Sequence, residues 1–579
     1  MMDVAAFTKL VKSAGILDNV VEAETPALLK GGLVFSVLGE VNINNKQLKL
    51  CISASSRFPL HAPVIYFINH NEYDRIPHVQ GDGLICYAQE DAIVLDIDNP
   101  IGVIRECLKM AISTVADGFA KKNEGDFYNE YETYWRRLKD AIPILTVIPI
   151  DDHIKVIHYL KIPNRDIMFA WSSEIDGEKI LNRLITNQNK QIRHYYGVFI
   201  PLQKGAKIYI PKDDEELDIN HIREITLTNL SPENKKRLEI IQATGKIEDL
   251  LIYCLPQPND HHSLFGVRVK NIAFGKHPLF SSGRKFSLIP LTVQRIDKEH
   301  MLTRAGTGRK YLDKRILVIG GGSVGGYLCD ELIKSAIVNV DIVDGDSLIP
   351  DNCYRHTCGI KYVLMNKAEA IKSKLETFYP HANINAINTN FETAFEDGKL
   401  KLNKYDTIIV ATGNATLNQY LNRLFRVEAS KTPVIYCWLD PLGIGGHCLI
   451  TNITQYGCFQ CLYTNEDLHN IASFTNKEQP KSFSKSITGC GAAYIPYGSL
   501  DAIQTAIIVV RNLLRIFEGE VAQNCVESWK GNADLFLSEG YKLASRYFQS
   551  IEELERSKHL FYQPNCTICG RQRTDLQTE

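Results

Sequence analysis

Residues 315–326 have the sequence RILVIGGGSVGG, in which an apolar strand runs into a glycine-rich turn. A helical pattern, YLCDELIKSA, follows, and then a second apolar strand, VNVDIVD, which ends in Asp344. In a G-x-G-x-x-G turn the first glycine permits a tight bend, the second lets the backbone approach a ligand, and the helix N-terminus attracts phosphate. Gly320, Gly322 and Gly325 therefore predict a nucleotide site on a parallel, doubly wound α/β sheet, where Asp344 could accept hydrogen bonds from ribose hydroxyls.

Polar residues after Asp344 favour an adenylating site over a dinucleotide site. They are Asp346, Asn352, Arg355 and Lys367. When a carboxylate attacks the α-phosphorus of ATP, negative charge builds on the leaving pyrophosphate, and nearby cations stabilise it. Arg355 and Lys367 are the candidate cations. An NAD-dependent oxidoreductase would use the same turn and Asp344, but it would give no reason for these cations.

Two C-x-x-C pairs predict a structural zinc site. They are Cys458 with Cys461 and Cys566 with Cys569. Four thiolates form a closed tetrahedral ligand set for Zn²⁺ that leaves no position open for a substrate. We therefore expect the metal to fasten the C-terminal region to the domain without taking part in a reaction. The alternative is two unrelated pairs of buried or redox-active thiols.

The segments VDGDSLIPDNCYR and NKAEA resemble the ThiF family, the adenylating domains of ubiquitin-activating and sulfur-carrier-activating enzymes. The resemblance extends over about residues 304–571, and such domains carry a matching pair of cysteine knuckles late in the chain. It implies that Asp344 holds the ribose of ATP. It also implies that Asn352, Arg355 and Lys367 contact the phosphates and the reacting carboxylate.

The sequence departs from the ThiF pattern at the expected magnesium ligand. The family commonly has an Asp-Asn pair after a strand, with the aspartate on Mg²⁺, whereas IIVATGN has Gly413 at that position and retains only Asn414. The Mg²⁺ ligand is therefore left open. Asp440 is a candidate replacement, although an aspartate before proline also caps turns. His447 lies nearby in the sequence, and most isolated histidines are structural.

Cys490 is the first candidate nucleophile. It ends a polar stretch between the two cysteine pairs, which resembles the crossover loop that covers the adenylate and leads to the thioester cysteine in activating enzymes. A cysteine flanked by glycine just before an apolar helix would gain thiolate character from the helix N-terminus and would be accessible. The alternative is a small thiol packed under a loop.

Cys86 is the second candidate nucleophile. FPLHAPVIYFIN and then HVQGDGLICY resemble the ubiquitin-conjugating fold over about residues 15–140, in which a histidine and a glycine turn precede the acyl-accepting cysteine. The usual His-Pro-Asn turn is reduced to His78-Val-Gln and lies two residues closer to the cysteine, so the asparagine credited with stabilising the oxyanion is absent. Asp96 or Asp98 could assist deprotonation of an incoming amine.

Length and composition set the remaining expectations. A chain of 579 residues exceeds one hydrophobic core, so we predict three domains: 1–150, conjugating-like and α+β; 151–300, mixed α/β; and 301–579, ThiF-like with structural zinc. The net charge of -2 gives no basic field for nucleic acid. We expect a cytoplasmic protein, because no apolar stretch is long enough for a membrane span and the N-terminus lacks a signal pattern.

The whole arrangement resembles the fused activating–conjugating proteins of bacterial CBASS anti-phage operons. That resemblance implies ATP-dependent activation of a protein C-terminus, transfer from Cys490 to Cys86 and conjugation to a protein or small-molecule amine. It implies a cGAS-like nucleotidyltransferase as the conjugated partner and a homodimer, in which Arg304 could reach across the interface. The alternatives are activation of a sulfur carrier, which leaves the N-terminal segment idle, and a non-catalytic adaptor.

Overall fold

The computed structural model describes residues 2–23, 32–43, 45–88, 93–162, 165–184, 194–242, 248–271, 277–281, 286–303, 306, 308–464, 467–486 and 493–570. The chain folds into two compact units. Unit one comprises Met1–Gly177 with Asn189–Asp297, and unit two comprises Glu178–Gln188 with Lys298–Glu579. Over these described ranges, none of the helices combines the length and the apolar character that crossing a membrane requires.

The helices and strands are numbered along the chain. The helices are α1 (Val4–Ala14), α2 (Pro100–Phe119), α3 (Asp126–Asn129), α4 (Tyr131–Arg136), α5 (Gly177–Leu184), α6 (Ile219–Asn229), α7 (Pro232–Ile241), α8 (Lys298–Thr303), α9 (Ser323–Lys334), α10 (Lys367–Phe378), α11 (Phe391–Glu396), α12 (Ala415–Glu428), α13 (Ser499–Phe517), α14 (Asp534–Ser538) and α15 (Ile551–Ser557). The strands of unit one are β1 (Asp18–Glu22), β2 (Leu33–Ile43), β3 (Lys46–Ser55), β4 (Val64–Phe67), β5 (Ile142–Thr146), β6 (Lys155–Lys161), β7 (Met168–Ser172), β8 (Tyr195–Pro201), β9 (Glu248–Pro256), β10 (His262–Lys270) and β11 (Ser287–Arg295). The strands of unit two are β12 (Arg315–Ile319), β13 (Asn339–Val343), β14 (Asn383–Ile387), β15 (Thr407–Val410), β16 (Val434–Leu439), β17 (Gly445–Thr451), β18 (Tyr463–Thr464), β19 (Asp467–Asn470), β20 (Lys485–Ser486), β21 (Ala493–Tyr494) and β22 (Cys525–Lys530).

Unit one begins with an antiparallel meander in the order β1-β2-β3-β4. The alternating stretches LVFSVLGEVNI and QLKLCISAS, predicted as strands, are β2 and most of β3. Helix α2 starts where the Asn99 side chain accepts a hydrogen bond from the Gly102 N–H, with Pro100 in the first turn. Its apolar face, which includes Leu108, packs against the sheet and Phe7 of α1 in one core. This is the α+β arrangement predicted for the N-terminal segment.

The middle of unit one is a closed barrel of seven strands in the order β10-β11-β5-β7-β6-β8-β9. The predicted strands IKVIHYLKI, HYYGVFIPL and LLIYCLP are present as β6, β8 and β9. Closure satisfies the strand edges that an open sheet would expose. Trp135 of α4 fixes this helix to the barrel, because its indole N–H donates to the Gly266 carbonyl oxygen at 3.1 Å and its ring packs on Phe265 at 4.6 Å between centroids.

Unit two is built on a seven-stranded sheet in the order β14-β13-β12-β15-β16-β17-β22. The first five strands are parallel, and β17 runs antiparallel to both of its neighbours, β16 and β22. Helices α9, α10 and α13 cover one face, while α11, α12 and the cysteine segment cover the other. The predicted doubly wound sheet is confirmed. Strand order reverses between β12 and β15, and ligands of such sheets bind outside the carboxyl ends of the strands at that point.

The predicted boundaries at residues 150 and 300 stay a prediction. The two compact units meet in sequence near Asp297, and the meander and the barrel both belong to unit one.

Candidate active site

The glycine turn after β12 is held tightly by its neighbours. Gly320 has φ +98, and a Cβ there would lie 2.8 Å from the Ala411 carbonyl oxygen. A Cβ on Gly325 would lie 1.9 Å from the Gly320 carbonyl oxygen. Gly322, the N-cap of α9, has open space where its Cβ would be. The turn therefore packs against Ala411 at Gly320 and against its own backbone at Gly325. It stays accessible at Gly322, where the N-terminus of α9 favours a phosphate.

Asp344, Asp346 and Lys367 lie together beyond the carboxyl end of β13. The Asp344 carboxylate accepts hydrogen bonds from the N–H groups of Gly321 at 2.6 Å and Asp346 at 2.7 Å. Burial raises the pKa of Asp344 above the usual value for a carboxyl group. Lys367 donates to the Asp346 carboxylate at 2.8 Å. The Gly321 bond ties Asp344 to the glycine turn, the Asp346 bond closes the loop after β13, and both leave lone pairs on the carboxylate for further donors.

A cavity of about 240 Å³ lies at the reversal point between β12 and β15. Its lining includes Gly322, Thr412, Gly413, Trp438, Tyr463 and Tyr497. The Arg355 guanidinium lies over the rings of Tyr497 and Tyr494, with its carbon 5.4 Å and 5.8 Å from the ring centroids. Arg355 is thus beside the cavity wall, so the structure brings the predicted cation and the predicted glycine turn to one region.

Two asparagines named in the sequence analysis are engaged in local structure, and Gly413 has a backbone conformation suited to glycine. The Asn352 amide oxygen accepts the Ile349 N–H at 3.2 Å and closes its own turn. Asn414 caps α12 by accepting the Leu417 N–H at 3.0 Å. Gly413 has φ +66, a backbone conformation that favours glycine over the aspartate expected in the ThiF pattern. At Gly413 the chain therefore differs from the ThiF pattern in residue type and has a backbone conformation that suits glycine.

Asp440 is buried within a hydrogen-bond network. Its carboxylate accepts from the Ser473 hydroxyl at 2.6 Å and from the Phe474 N–H at 2.7 Å, and it lies 2.9 Å from His447 Nε2. His447 is itself fully buried and bonds to Ser528 at 2.8 Å. The carboxylate therefore has structural partners in place of a magnesium ion, although it does not cap the turn that follows it.

The sequence reasoning missed the aromatic wall of the cavity and His356. The buried His356 ring donates from Nε2 to the Gly321 carbonyl oxygen at 2.7 Å, and burial lowers its pKa. Trp438, Tyr463 and Tyr497 come from separate stretches of the chain. Only Tyr497 carried a local signal, because it lies just before the apolar pattern that becomes α13.

The four predicted zinc ligands converge. Their sulfur atoms all lie within 4.8 Å of one another, with Cys458 and Cys566 at 3.7 Å and Cys461 and Cys569 at 3.4 Å. Tetrahedral zinc with Zn–S bonds of about 2.3 Å requires sulfur atoms about 3.8 Å apart. Asn422 donates to the Cys458 sulfur at 3.5 Å. The donor set and its spacing therefore fit a zinc ion, with Asn422 orienting one ligand.

Cys86 is exposed in unit one, directly after the glycine turn. Its N–H donates to the His78 carbonyl oxygen at 2.8 Å, so the turn folds back beside the cysteine. The Gln80 side-chain amide donates to the Cys86 sulfur at 3.1 Å. A donor at this distance stabilises a thiolate. The sequence did not indicate this role for Gln80, since the contact depends on how the shortened turn closes.

The other polar residues considered near Cys86 have structural partners. His78 lies between Asp126 and Glu130, with its ring nitrogens 3.0 Å and 3.1 Å from their carboxylates. Asp96 accepts the Asp98 N–H at 3.2 Å, and both are exposed. Two further predicted residues, Cys490 and Arg304, lie outside the residues that the structure describes.

Family models match two segments of the chain. Residues 298–555 match the ThiF family, and residues 33–143 match the Prokaryotic E2 family B. The first match contains the glycine turn, Asp344, Arg355 and Lys367, and the second contains Cys86.

Similar proteins include two named ATP-dependent ubiquitin transferase-like protein Cap2. The one from Pseudomonas aeruginosa is 23% identical over 447 residues, which cover 74% of this chain and 78% of that protein. The one from Escherichia coli is 23% identical over 561 residues, with coverage of 88% and 89%. SUMO-activating enzyme subunit 2 of Dictyostelium discoideum is 28% identical over 162 residues, which are 27% of this chain and 23% of that one.

Among solved structures, E. coli MccB with ATP is 15% identical and covers 45% of this chain and 68% of its own. The TM-score of 0.31 is too low to establish a shared fold. The chain is therefore similar to the Cap2 proteins over most of its length, and its segment that matches Prokaryotic E2 family B precedes its segment that matches the ThiF family.

Proposed function

We propose that the protein uses ATP to adenylate the C-terminal carboxylate of a partner protein, holds the acyl group as a thioester and conjugates it to an amine. The supporting observation is that the glycine turn, Asp344 and the cations Arg355 and Lys367 lie at one edge of the unit-two sheet. Unit one has an exposed thiol, Cys86. The similarity to Cap2 and to a SUMO-activating subunit agrees with this combination.

ATP would be held by the glycine turn, the N-terminus of α9 and Asp344. The open backbone at Gly322 and the N-terminus of α9 would receive phosphate, and Asp344 would accept from the ribose hydroxyls. Lys367 and Arg355 would offset the charge that develops on pyrophosphate. Attack by the carboxylate oxygen on the α-phosphorus forms the acyl adenylate and releases pyrophosphate. Mg²⁺ would accompany ATP, and Asp346 is the described carboxylate beside Lys367 that could receive it.

The thioester steps would follow in two transfers. The Cys490 thiolate attacks the acyl adenylate, the acyl–oxygen bond breaks and AMP leaves. The Cys86 thiolate then attacks that thioester and Cys490 leaves as the thiolate. An amine finally attacks the Cys86 thioester, which gives an amide and a free thiol. The acyl group thus stays activated, first as the adenylate and then as two thioesters, until the amide forms.

The cysteine quartet would bind one structural Zn²⁺ in the same unit. Its four ligands are all thiolates, so the ion has no open position and supplies folding stability and no chemistry.

The partner and the assembly follow from the family resemblance. We propose that the conjugated protein is a cGAS-like cyclic-nucleotide synthase of an anti-phage operon, that the protein acts as a homodimer and that it is cytoplasmic. Mass spectrometry of the protein incubated with ATP and the products of neighbouring genes would identify the carrier. It would also identify the cysteine that carries it.

Lys367→Ala tests the adenylation step. Loss of the cation should reduce ATP–pyrophosphate exchange by at least about 100-fold, because one electrostatic contact to the transition state typically contributes several kcal/mol. Lys401→Ala, an exposed lysine of the same unit, is the matched control and should exchange normally. Zinc content should be equal in both.

The same assay separates the alternative functions. Exchange that survives in Lys367→Ala would remove this residue from the mechanism. A wild-type protein without exchange would favour the adaptor, and exchange without a Cys86-dependent product would favour sulfur-carrier activation.

A further inference from the structure

A second cavity, of about 380 Å³, lies within unit one beside the turn that carries Cys86. One wall is the segment after β4, and another is a loop that precedes α6. The lining residues that matter here are Arg75, Gln80, Lys212 and Asp213.

Two contacts join this cavity to Cys86. Gln80 lines the cavity and donates its amide N–H to the Cys86 sulfur at 3.1 Å. Gly81, the next residue, lies against Asp213, since a Cβ on Gly81 would be 3.1 Å from the Asp213 carboxyl carbon. The Gln80 side chain therefore lines the cavity and contacts the Cys86 sulfur, and Asp213 lies against the turn that carries Cys86.

Among the residues that line this cavity, two buried polar atoms of opposite character have no hydrogen-bond partner in the described part of the chain. They are the donor Nη2 of Arg75 and the acceptor Oδ1 of Asp213. Each side chain is held by its other atoms. Arg75 Nη1 donates to the carbonyl oxygens of Ile210, at 3.0 Å, and Pro211, while Asp213 Oδ2 lies 3.7 Å from Arg137 Nη1. Because a buried polar atom without a partner is unfavourable, a ligand that supplies the missing acceptor and donor would bind here.

We propose that this cavity binds the acceptor amine of the conjugation reaction, as an α-amino carbonyl compound such as a peptide N-terminus. The ammonium group donates to Asp213 Oδ1, and the neighbouring carbonyl oxygen accepts from Arg75 Nη2. A lysine side chain offers the ammonium group without the neighbouring oxygen. The assignment rests on the proposed charging of Cys86.

Amide formation needs only the bound amine and the Cys86 thioester. The bound ammonium loses a proton to solvent, and the neutral nitrogen attacks the carbonyl carbon of the Cys86 thioester. The C–N bond forms, the C–S bond breaks and its electron pair leaves on sulfur. The second proton of the nitrogen passes through solvent to that sulfur, so amine and thioester give amide and thiol. Gln80, between the cavity and the sulfur, is placed to donate to the leaving thiolate.

Calorimetric titration of the full-length protein tests the cavity without any carrier. Glycinamide should bind wild-type protein at least about tenfold more tightly than ethylamine, which lacks the carbonyl oxygen, since a charge-assisted hydrogen bond contributes about that factor. Asp213→Asn, of equal size, should weaken glycinamide binding at least about tenfold. Asp140→Asn is the control: Asp140 is exposed with φ +57, which asparagine tolerates, and binding should not change.

Gly81→Ala gives a second variant, because its Cβ would push the Asp213 carboxylate aside by a few tenths of an ångström, and it should weaken glycinamide binding by a smaller factor than Asp213→Asn does. Thermal denaturation of each variant would show that it is folded. Equal binding of glycinamide and ethylamine, or undiminished glycinamide binding by folded Asp213→Asn, would overturn the assignment.

Discharge of charged Cys86 completes the test. With Cys86 charged by ATP and the carrier, Asp213→Asn should charge normally but release the carrier to glycinamide with a half-saturating concentration raised at least about tenfold. Unchanged release would overturn the cavity assignment. Failure of the wild type to charge Cys86 would instead contradict the proposed function, and the calorimetric result would still decide the cavity.

Discussion

His78 lies between two carboxylates on the turn that holds Cys86. The hydrogen bond with Glu130 is the main cause that raises the pKa of His78 to about 9, and Asp126 adds to it. The ring is therefore charged at neutral pH and cannot serve as a base there. Its carbonyl oxygen accepts the Cys86 N–H, so the ion pairs fix the backbone beside Cys86. We assign His78 a structural role.

The raised pKa of His78 makes stability depend on pH. A group whose pKa rises on folding stabilises the folded state fully below its unfolded value of about 6.5, and this stabilisation is lost as pH rises through about 9. His78→Asn keeps a residue that tolerates φ +65. It should cost about 1–3 kcal/mol at pH 6, after allowance for solvent screening, and much less at pH 10.

Urea denaturation at both pH values measures this difference. His61→Asn, at an exposed histidine of the same unit, serves as the control and should be neutral. A destabilisation of His78→Asn that is equal at pH 6 and pH 10 would contradict the ion-pair assignment.

Residues with a spacing rule were predictable, and residues that meet only in three dimensions were not. The four cysteines converge as their two C-x-x-C pairs predicted, because metal-ligand geometry is encoded in local spacing. Gln80 and the aromatic wall with Trp438 and Tyr497 were missed, since their positions depend on tertiary closure. At Gly413 the sequence showed only that glycine replaces the aspartate of the ThiF pattern. The structure adds that φ is +66 there, a backbone angle that favours glycine.

At the scale of elements, the β12–α9 turn depends on two glycines in different ways. Gly325→Ala would place a Cβ 1.9 Å from the Gly320 carbonyl oxygen, which is backbone and cannot move away cheaply. It should destabilise unit two by more than about 2 kcal/mol in chemical denaturation.

Gly322→Ala is the matched comparison, because its Cβ would meet nothing within 4 Å. This variant should retain stability within about 0.5 kcal/mol, while ATP–pyrophosphate exchange falls as the methyl group blocks the approach of phosphate. Equal stability losses in the two variants would contradict this account of the turn.

The cysteine quartet joins the segment after β17 to the C-terminal segment after α15. Cys566→Ser should reduce zinc, measured by elemental analysis, well below one ion per chain and lower the stability of unit two by on the order of 5 kcal/mol or more. Cys353→Ser, at a half-buried cysteine outside the quartet, should keep its zinc. A folded wild-type protein that contains no zinc would refute the assignment.

The strands and helices were largely predictable, whereas the barrel was not. Alternation and apolar runs identified β2, β6, β8 and β9, because these patterns report the local environment of a strand. Closure requires β11 to pair with β5, and β5 lies more than a hundred residues before β11. Such non-local pairing leaves no local trace in a single sequence.

At the scale of the molecule, one chain carries the proposed adenylation site in unit two and the exposed Cys86 in unit one. Linking two sites on one polypeptide converts a meeting of two proteins into an intramolecular event and raises the effective concentration of each for the other. That gain matters for a thioester, which water hydrolyses while it waits for an acceptor. The covalent link therefore favours an ordered relay over two independent activities.

A relay predicts which intermediate accumulates when a later step is blocked. In Cys86→Ala, ATP and the carrier should still charge Cys490 as a reductant-sensitive adduct, and no amide should form. In Cys490→Ala, pyrophosphate exchange should persist, because adenylation precedes the first thiol, but neither the Cys86 adduct nor the amide should appear. Non-reducing electrophoresis and mass spectrometry of the charged cysteine distinguish these states. Normal charging of Cys86 in Cys490→Ala would mean that Cys86 attacks the adenylate directly, and the relay would then reduce to a single transfer.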